Sequence, residues 1–200
     1  GLYGRIHRPP LPQARSLAAL VEGWTDDLRR LPRSAPIPRR LVEQAIALGP
    51  ELTAGGGPPD RLLHTDLHYS NVLRANVLSA TREPWLVIDP KPVNGDPHYE
   101  IAPMLWNRFT EMTGGQERSD SGNRTGGQER SDAGKNRGDV RAGVRRRLWT
   151  LVDAAGFDED RARAWALIRM VHNAMGELDS PHVDRDWLTV CIAVAKAVQG

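Results

Sequence analysis

Lysine is scarce in this 200-residue chain: only Lys91, Lys135 and Lys196 stand among 27 basic residues, so arginine carries almost all of the positive charge. Cysteine is scarcer still. The lone Cys191 excludes an internal disulfide, and with no CxxC or Cys/His pair beside it the sequence offers no structural zinc site, a usage that fits a reducing compartment. No apolar run approaches the roughly eighteen residues that a membrane span needs, and the opening GLYGRIHRPP lacks the long apolar segment of a signal peptide. The expectation is a soluble, cytoplasmic protein with no membrane partner. Net charge is also small: a formal +2 gives no reason to expect a nucleic-acid partner.

What is present is a globular composition, 40% apolar, enough to bury a core as one domain or as part of a larger protein. Residues up to Pro12 read as a helix end running into a turn. Leu17, Leu20, Val21, Trp24, Leu28 and Leu31 then recur along one stripe of a helix that Pro32 stops. A second helix opens near Pro38, carries Leu41, Val42, Ala45, Ile46, Leu48 and Leu52, and ends at GGGPP (55–59), where the glycines make a turn. Helix and turn, with no strand hairpin, are expected throughout this first part. RLLH, NVLRA and WLVID (85–89) read as short strands around a loop. Asp96 before Pro97 is an N-cap followed by a first-turn proline, and Ile101, Leu105 and Phe109 give the next helix its apolar face.

Three more helices are expected near the end. The first covers roughly 139–155 with Val140, Val144, Leu148, Leu151 and Val152 inward, and the second opens at Asp158 and carries Trp165, Leu167, Ile168, Val171 and His172. The last runs from Trp187 to Val198 and is apolar on nearly all sides. The fold class is therefore α+β, mostly helical. Before these helices TGGQERSDSGNR is followed at once by TGGQERSDAGKN, a polar twelve-residue unit in two copies with almost nothing to bury. A flexible insertion over 113–137 is expected. Its arginines alternate with acids and no aromatic precedes Trp149, the pattern of a solvated loop rather than of a nucleic-acid surface.

The chemistry is concentrated in HTDLHYSN, residues 64–71. Phosphoryl transfer needs a group to orient the acceptor hydroxyl and oxygen ligands that hold Mg²⁺ against the nucleotide phosphates. Asp66 is suited to the first task as a base, Asn71 offers a neutral hard oxygen, and Asp89 at the end of the following apolar run supplies a charged metal ligand. The alternative is structural: His64 packs locally, Asp66 and Asn71 hold turn geometry, and Asp89 caps a strand.

HTDLHYSNVL followed by PWLVIDPKPVNGDPHYEIAPMLWNR resembles the aminoglycoside phosphotransferase superfamily of protein-kinase-like fold, and in particular its streptomycin 6-kinase and hydroxyurea phosphotransferase branch. The resemblance resumes after the insertion with GDVRAGVRRRL, DRARAW and DWLTVCIAVAKAVQ. It implies an ATP- and Mg²⁺-dependent kinase acting on a small-molecule antibiotic, with Asp66 catalytic, His64 bracing the loop, and Asn71 and Asp89 on the metal. Lys91 is either a phosphate contact or a solvated lysine. Asp96 is expected to cap the next helix and hold the catalytic loop by hydrogen bonds. Glu100, Trp106 and Glu177 are candidates to meet a guanidinium-bearing acceptor.

The same resemblance implies that residues 1–200 are a C-terminal, catalytic and substrate lobe with a small β-hairpin carrying the catalytic loop. No lysine precedes Lys91 and no Gly-rich strand hairpin precedes the motif, so the N-terminal nucleotide lobe is expected to be absent from this chain. The opening Gly1 in place of Met fits a beginning further upstream. Two rival readings remain. One is a degenerate kinase lobe that binds a ligand or partner without catalysis. The other is a metal-dependent hydrolase built on His64, Asp66 and His68, with His98, His172 or His182 as further ligands.

Overall fold

A computed structural model describes residues 2–74, 84–112 and 129–199, with residues 2 and 129–139 as backbone only. Its secondary structure is mixed and mostly helical. Helix α1 (Leu2–Ile6) leads to a two-residue strand β1 (Arg15–Ser16), then α2 (Leu17–Arg30) and α3 (Arg39–Thr53). Short strands β2 (Arg61–Leu63), β3 (Val72–Arg74), β4 (Trp85–Val87) and β5 (Val93–Gly95) follow. A 3₁₀ turn (Pro97–Ile101), α4 (Ala102–Trp106), α5 (Phe109–Met112), α6 (Glu129–Ala155), α7 (Glu159–Leu178) and α8 (Arg185–Ala197) complete the chain.

The periodic stripes become the core. Leu17, Val21 and Leu28 of α2 and Leu41, Val42 and Ala45 of α3 are buried in one cluster with Trp165, Ile168 and Val171 of α7 and Cys191 and Val194 of α8. Each fully buried side chain of this size stabilises the fold by about 1.5–3 kcal/mol. Helix α7 is the hub, with nine of its residues buried between Ala162 and Met175. After α3, Gly55 (φ 97°) and Gly56 (φ 78°) turn the chain in the left-handed region, as expected of the triple glycine.

Four expectations change. A strand does precede the motif: β1 pairs in parallel with β5, which pairs antiparallel with β2, giving the order β1-β5-β2. Ser16 is extended because it caps α2, accepting from the Ala19 N–H, and two extended residues need no apolar pattern to pair. Gly95 allows this close approach, since a Cβ there would overlap the Leu17 side chain. The hairpin follows the loop instead of carrying it: β3 and β4 pair antiparallel, Val72 opposite Val87, just after the 64–71 loop ends.

The helix expected through Phe109 is broken at Asn107 and Arg108. Arg108 is left-handed (φ 53°), and Arg147 of α6 satisfies the freed carbonyls of Met104 and Asn107 at 3.1 and 2.5 Å. The helix expected from about 139 begins at Glu129, so residues 129–137 of the repeat are helix and not loop. Glu129, Arg130, Ala133 and Lys135 are good helix formers that extend a helix nucleated by its buried part. The rest of the repeat, 113–128, lies outside the described residues.

Candidate active site

The loop 64–71 runs from β2 to β3 and is laced to the segment 88–91. Asp66 N–H donates to His64 Nδ1 at 3.2 Å. An amide N–H can only donate, so the ring proton sits on Nε2, which donates to the Ile88 carbonyl at 2.8 Å. The Ile88 N–H donates to the Asn71 carbonyl at 3.0 Å, and the Lys91 N–H to the His64 carbonyl at 2.9 Å. Thr65 Oγ1 donates to the Lys91 carbonyl at 2.6 Å. These bonds bring Asp66, Asn71, Asp89 and Lys91 to one place.

Within it, Asn71 is buried and its Nδ2 donates to the Asp66 carbonyl at 2.9 Å, which fixes the amide by its nitrogen. The Asp66 carboxylate receives Lys91 Nζ on Oδ2 at 2.6 Å and has His68 Nε2 at 3.7 Å from Oδ1. The bonded Asp66 carboxylate raises the Lys91 ammonium above the ordinary lysine range. Asp89 is exposed and left-handed (φ 54°). Thr65 (φ 63°) is β-branched in the same region, where strain is on the order of 1–3 kcal/mol per residue and persists only when neighbours enforce it.

The enforcing group is Glu100, which the sequence had suggested as an antibiotic contact. It is 0% exposed, and its two oxygens accept the N–H groups of His64 and Thr65, each at 2.7 Å. It cannot meet a ligand from there. His7, after α1, reaches the same carboxylate, with Nε2 at 3.5 Å. On the other side Arg169 of α7 donates to Tyr99 Oη and lies over the Tyr99 and Trp106 rings, with Nη2 at 3.5 Å from the Thr65 carbonyl.

Asp96 does half of what was expected. It caps the 3₁₀ turn by accepting the His98 N–H at 3.0 Å, and it also accepts from His98 Nδ1 (2.7 Å), Trp165 Nε1 (2.7 Å) and Arg161 Nε. Those partners tie it to α7 and not to the catalytic loop, which Glu100 holds instead. Burial works to raise the Asp96 pKa, but the bonds from His98, Trp165 and Arg161 outweigh it and hold the carboxyl below the usual range.

Glu100 and Arg169 were missed as loop supports. A single acid in the apolar run Pro97–Leu105 was the available signal, since a buried carboxylate must find donors. A hydrolase site is disfavoured by the same bonds. Both ring nitrogens of His64 are engaged, as are both of His98, whose Nε2 accepts the Asp158 N–H at 3.0 Å. His172 stacks on Trp24 at 3.9 Å between centroids, and among the described residues no three His, Cys, Asp or Glu side chains cluster to hold a metal. No helix among the described residues is long and apolar enough to cross a membrane.

The loop that holds Asp66 and Asn71, and the segment after β4 that holds Asp89, lie within the stretch by which the chain matches a known family. The chain is a member of the aminoglycoside/hydroxyurea antibiotic resistance kinase family, whose model matches residues 2–124. It is 32% identical over 205 residues to a streptomycin 6-kinase of Streptomyces glaucescens, covering all of this chain and 56% of that protein. It is 34% identical over 209 residues to a streptomycin 6-kinase of Streptomyces griseus, covering 99% of the chain and 55% of that protein. A hydroxyurea phosphotransferase of Kitasatospora aureofaciens is 38% identical over 189 residues, 92% of this chain and 44% of its own length. The chain thus spans about half the length of the curated relatives it matches.

Proposed function

We propose that this chain is the catalytic and substrate lobe of a protein-kinase-like phosphotransferase that moves the terminal phosphoryl group of ATP to a hydroxyl of an aminoglycoside or related antibiotic. The acceptor oxygen attacks the γ-phosphorus, the bond to the β–γ bridging oxygen breaks with ADP leaving, and the hydroxyl proton passes to Asp66. His64 braces the loop through its two ring nitrogens. Asn71 and Asp89, both hard oxygen donors, would hold Mg²⁺, which neutralises phosphate charge when bound. Lys91 would leave Asp66 for a phosphate oxygen.

The observation that supports this reading is the lacing of 88–91 onto 64–71, which ties the segment that holds Asp89 and Lys91 to the loop that holds Asp66 and Asn71. The first lysine of the chain is Lys91, so the strand lysine that grips phosphates in the family has no counterpart in residues 1–63. Turnover by this chain alone is therefore slow, because phosphoryl transfer depends on positioning. A coupled assay with ATP, Mg²⁺ and streptomycin or hydroxyurea tests the proposal. Slow transfer that vanishes in Asp66→Asn is expected; transfer that survives that substitution, or none above a protein-free control, would sink it.

A further inference from the structure

We infer that His7 is a positioning residue for Asp66, acting through Glu100 and the backbone of His64 and Thr65, an inference that rests on the phosphotransferase reading of the site. The direction in which the chain enters Asp66 is set by Thr65, whose left-handed backbone (φ 63°) Glu100 enforces by accepting the His64 and Thr65 N–H groups. Glu100 needs support in turn. Fully buried, it has given up its hydration, and of its roughly four lone-pair sites the loop amides fill two. His7 Nε2 lies 3.5 Å from Oε2, the oxygen that also takes the His64 N–H. The His7 side chain is buried as well, and Nε2 is sealed from solvent with no hydrogen-bond partner elsewhere. A carboxylate oxygen only accepts, so this nitrogen faces it as an N–H.

Two neighbours hold the His7 ring in place: Tyr3 of α1, with centroids 5.8 Å apart, and Phe157 of the α6–α7 link, at 6.3 Å and within 7° of parallel. The same segment supports the loop in two further ways. Tyr3 and Ile6 share a small core with Leu67, the residue after Asp66, which is fully buried, and with Val72 and Val87 of the hairpin beyond the loop. Next to His7, the Arg8 carbonyl accepts the Leu62 N–H at 2.8 Å, on the strand that leads into His64. Residues 3–8 thus touch the entry strand, the inner apolar residue of the loop and the carboxylate that holds its strained turn. Only His7 acts on that carboxylate. An apolar ring in its place would keep the packing and leave Oε2 with one donor, so the loop loosens while the rest of the fold stands.

Amide hydrogen exchange and phosphoryl transfer from ATP to streptomycin or hydroxyurea, both measured on the full chain, test the inference with two variants. His7→Phe keeps a ring between Tyr3 and Phe157 and removes the N–H; His7→Gln restores an N–H donor without the ring. In His7→Phe the His64 and Thr65 amides should exchange about tenfold faster, the effect of one lost hydrogen bond, while the Ile168 and Val171 amides of α7 keep wild-type rates. Under the same substitution kcat should fall about tenfold with the acceptor KM within about twofold, because the base is displaced and the acceptor contacts are not. His7→Gln should recover most of both losses. Unchanged exchange at His64 and Thr65, a speed-up shared by α7, a rise in KM in place of the fall in kcat, or a His7→Gln variant no better than His7→Phe would overturn the inference. The phosphotransferase reading fails separately, through absence of Asp66-dependent transfer by the wild type, and exchange then still decides whether His7 holds the loop.

Discussion

Thr65 and Glu100 lie 35 positions apart in the chain and are joined by an N–H···O bond of 2.7 Å that holds a β-branched residue at φ 63°. The neighbouring His64 N–H takes the other oxygen of the same carboxylate. A carboxylate accepts both; an amide side chain can accept only one and turns an NH₂ group toward the other donor. Glu100→Gln should therefore cost about 2–3 kcal/mol in chemical denaturation, the value of a buried charge-assisted bond replaced by an unmet donor. Fast hydrogen exchange at the His64 and Thr65 amides should accompany it, and wild-type protection there would contradict the clamp.

Asp66 behaves in the opposite way. Its partner Lys91 is largely exposed, so the pair adds little to stability. Asp66→Asn should change the unfolding free energy by less than about 1 kcal/mol while transfer falls by about 10²–10⁴-fold, the range for loss of a positioned base. A variant that unfolds easily would assign Asp66 a structural task instead.

Asp96 joins His98, Trp165 and Arg161 around one buried carboxylate. Asp96→Asn removes the charge and leaves the Arg161 guanidinium without its anion, at a cost of about 3–5 kcal/mol. Because the folded pKa is depressed, the native Asp96 contribution is fully present above the ordinary aspartate range and is lost as pH falls through the folded value. The wild type should thus lose stability on strong acidification more steeply than Asp96→Asn, as read from urea midpoints at descending pH.

The parts legible in the sequence are those written locally. Asp66 and Asn71 share one short loop, Asp89 ends the next apolar run, and α2, α3, α7 and α8 follow from stripes with a 3.6-residue period. What was not legible depends on distant partners. Two residues of β1 become a strand only because β5 is beside them, and α4 stops at Trp106 where Arg147 from α6 satisfies its carbonyls. Between Asp96 and Glu100, which lie four residues apart and well beyond the loop in sequence, no local rule says which carboxylate faces the loop amides. The start of α6 inside a polar repeat was hidden because the buried residues that stabilise it, Val144 and Leu148, come later in the chain.

His172 gives the chain its clearest pH dependence on the mildly acidic side. Its ring stacks on Trp24, and its Nδ1 is buried without a hydrogen-bond partner. Burial first, then the Arg169 charge, push its pKa down to about 4 from 6.5, with Asp27 opposing weakly. The unfolded chain therefore binds a proton below about pH 6.5 that the folded chain refuses until about pH 4. Stability is complete above the upper value, falls between the two and levels off below the lower one. A difference of this size is worth at most about 3 kcal/mol. His172→Phe keeps a ring against Trp24 and removes the titrating nitrogen, so at pH 7.5 it should match or slightly exceed the wild type. Its urea midpoint should also hold steady between pH 6.5 and 4.5, where that of the wild type declines; parallel declines in both proteins would show that His172 is not the group responsible.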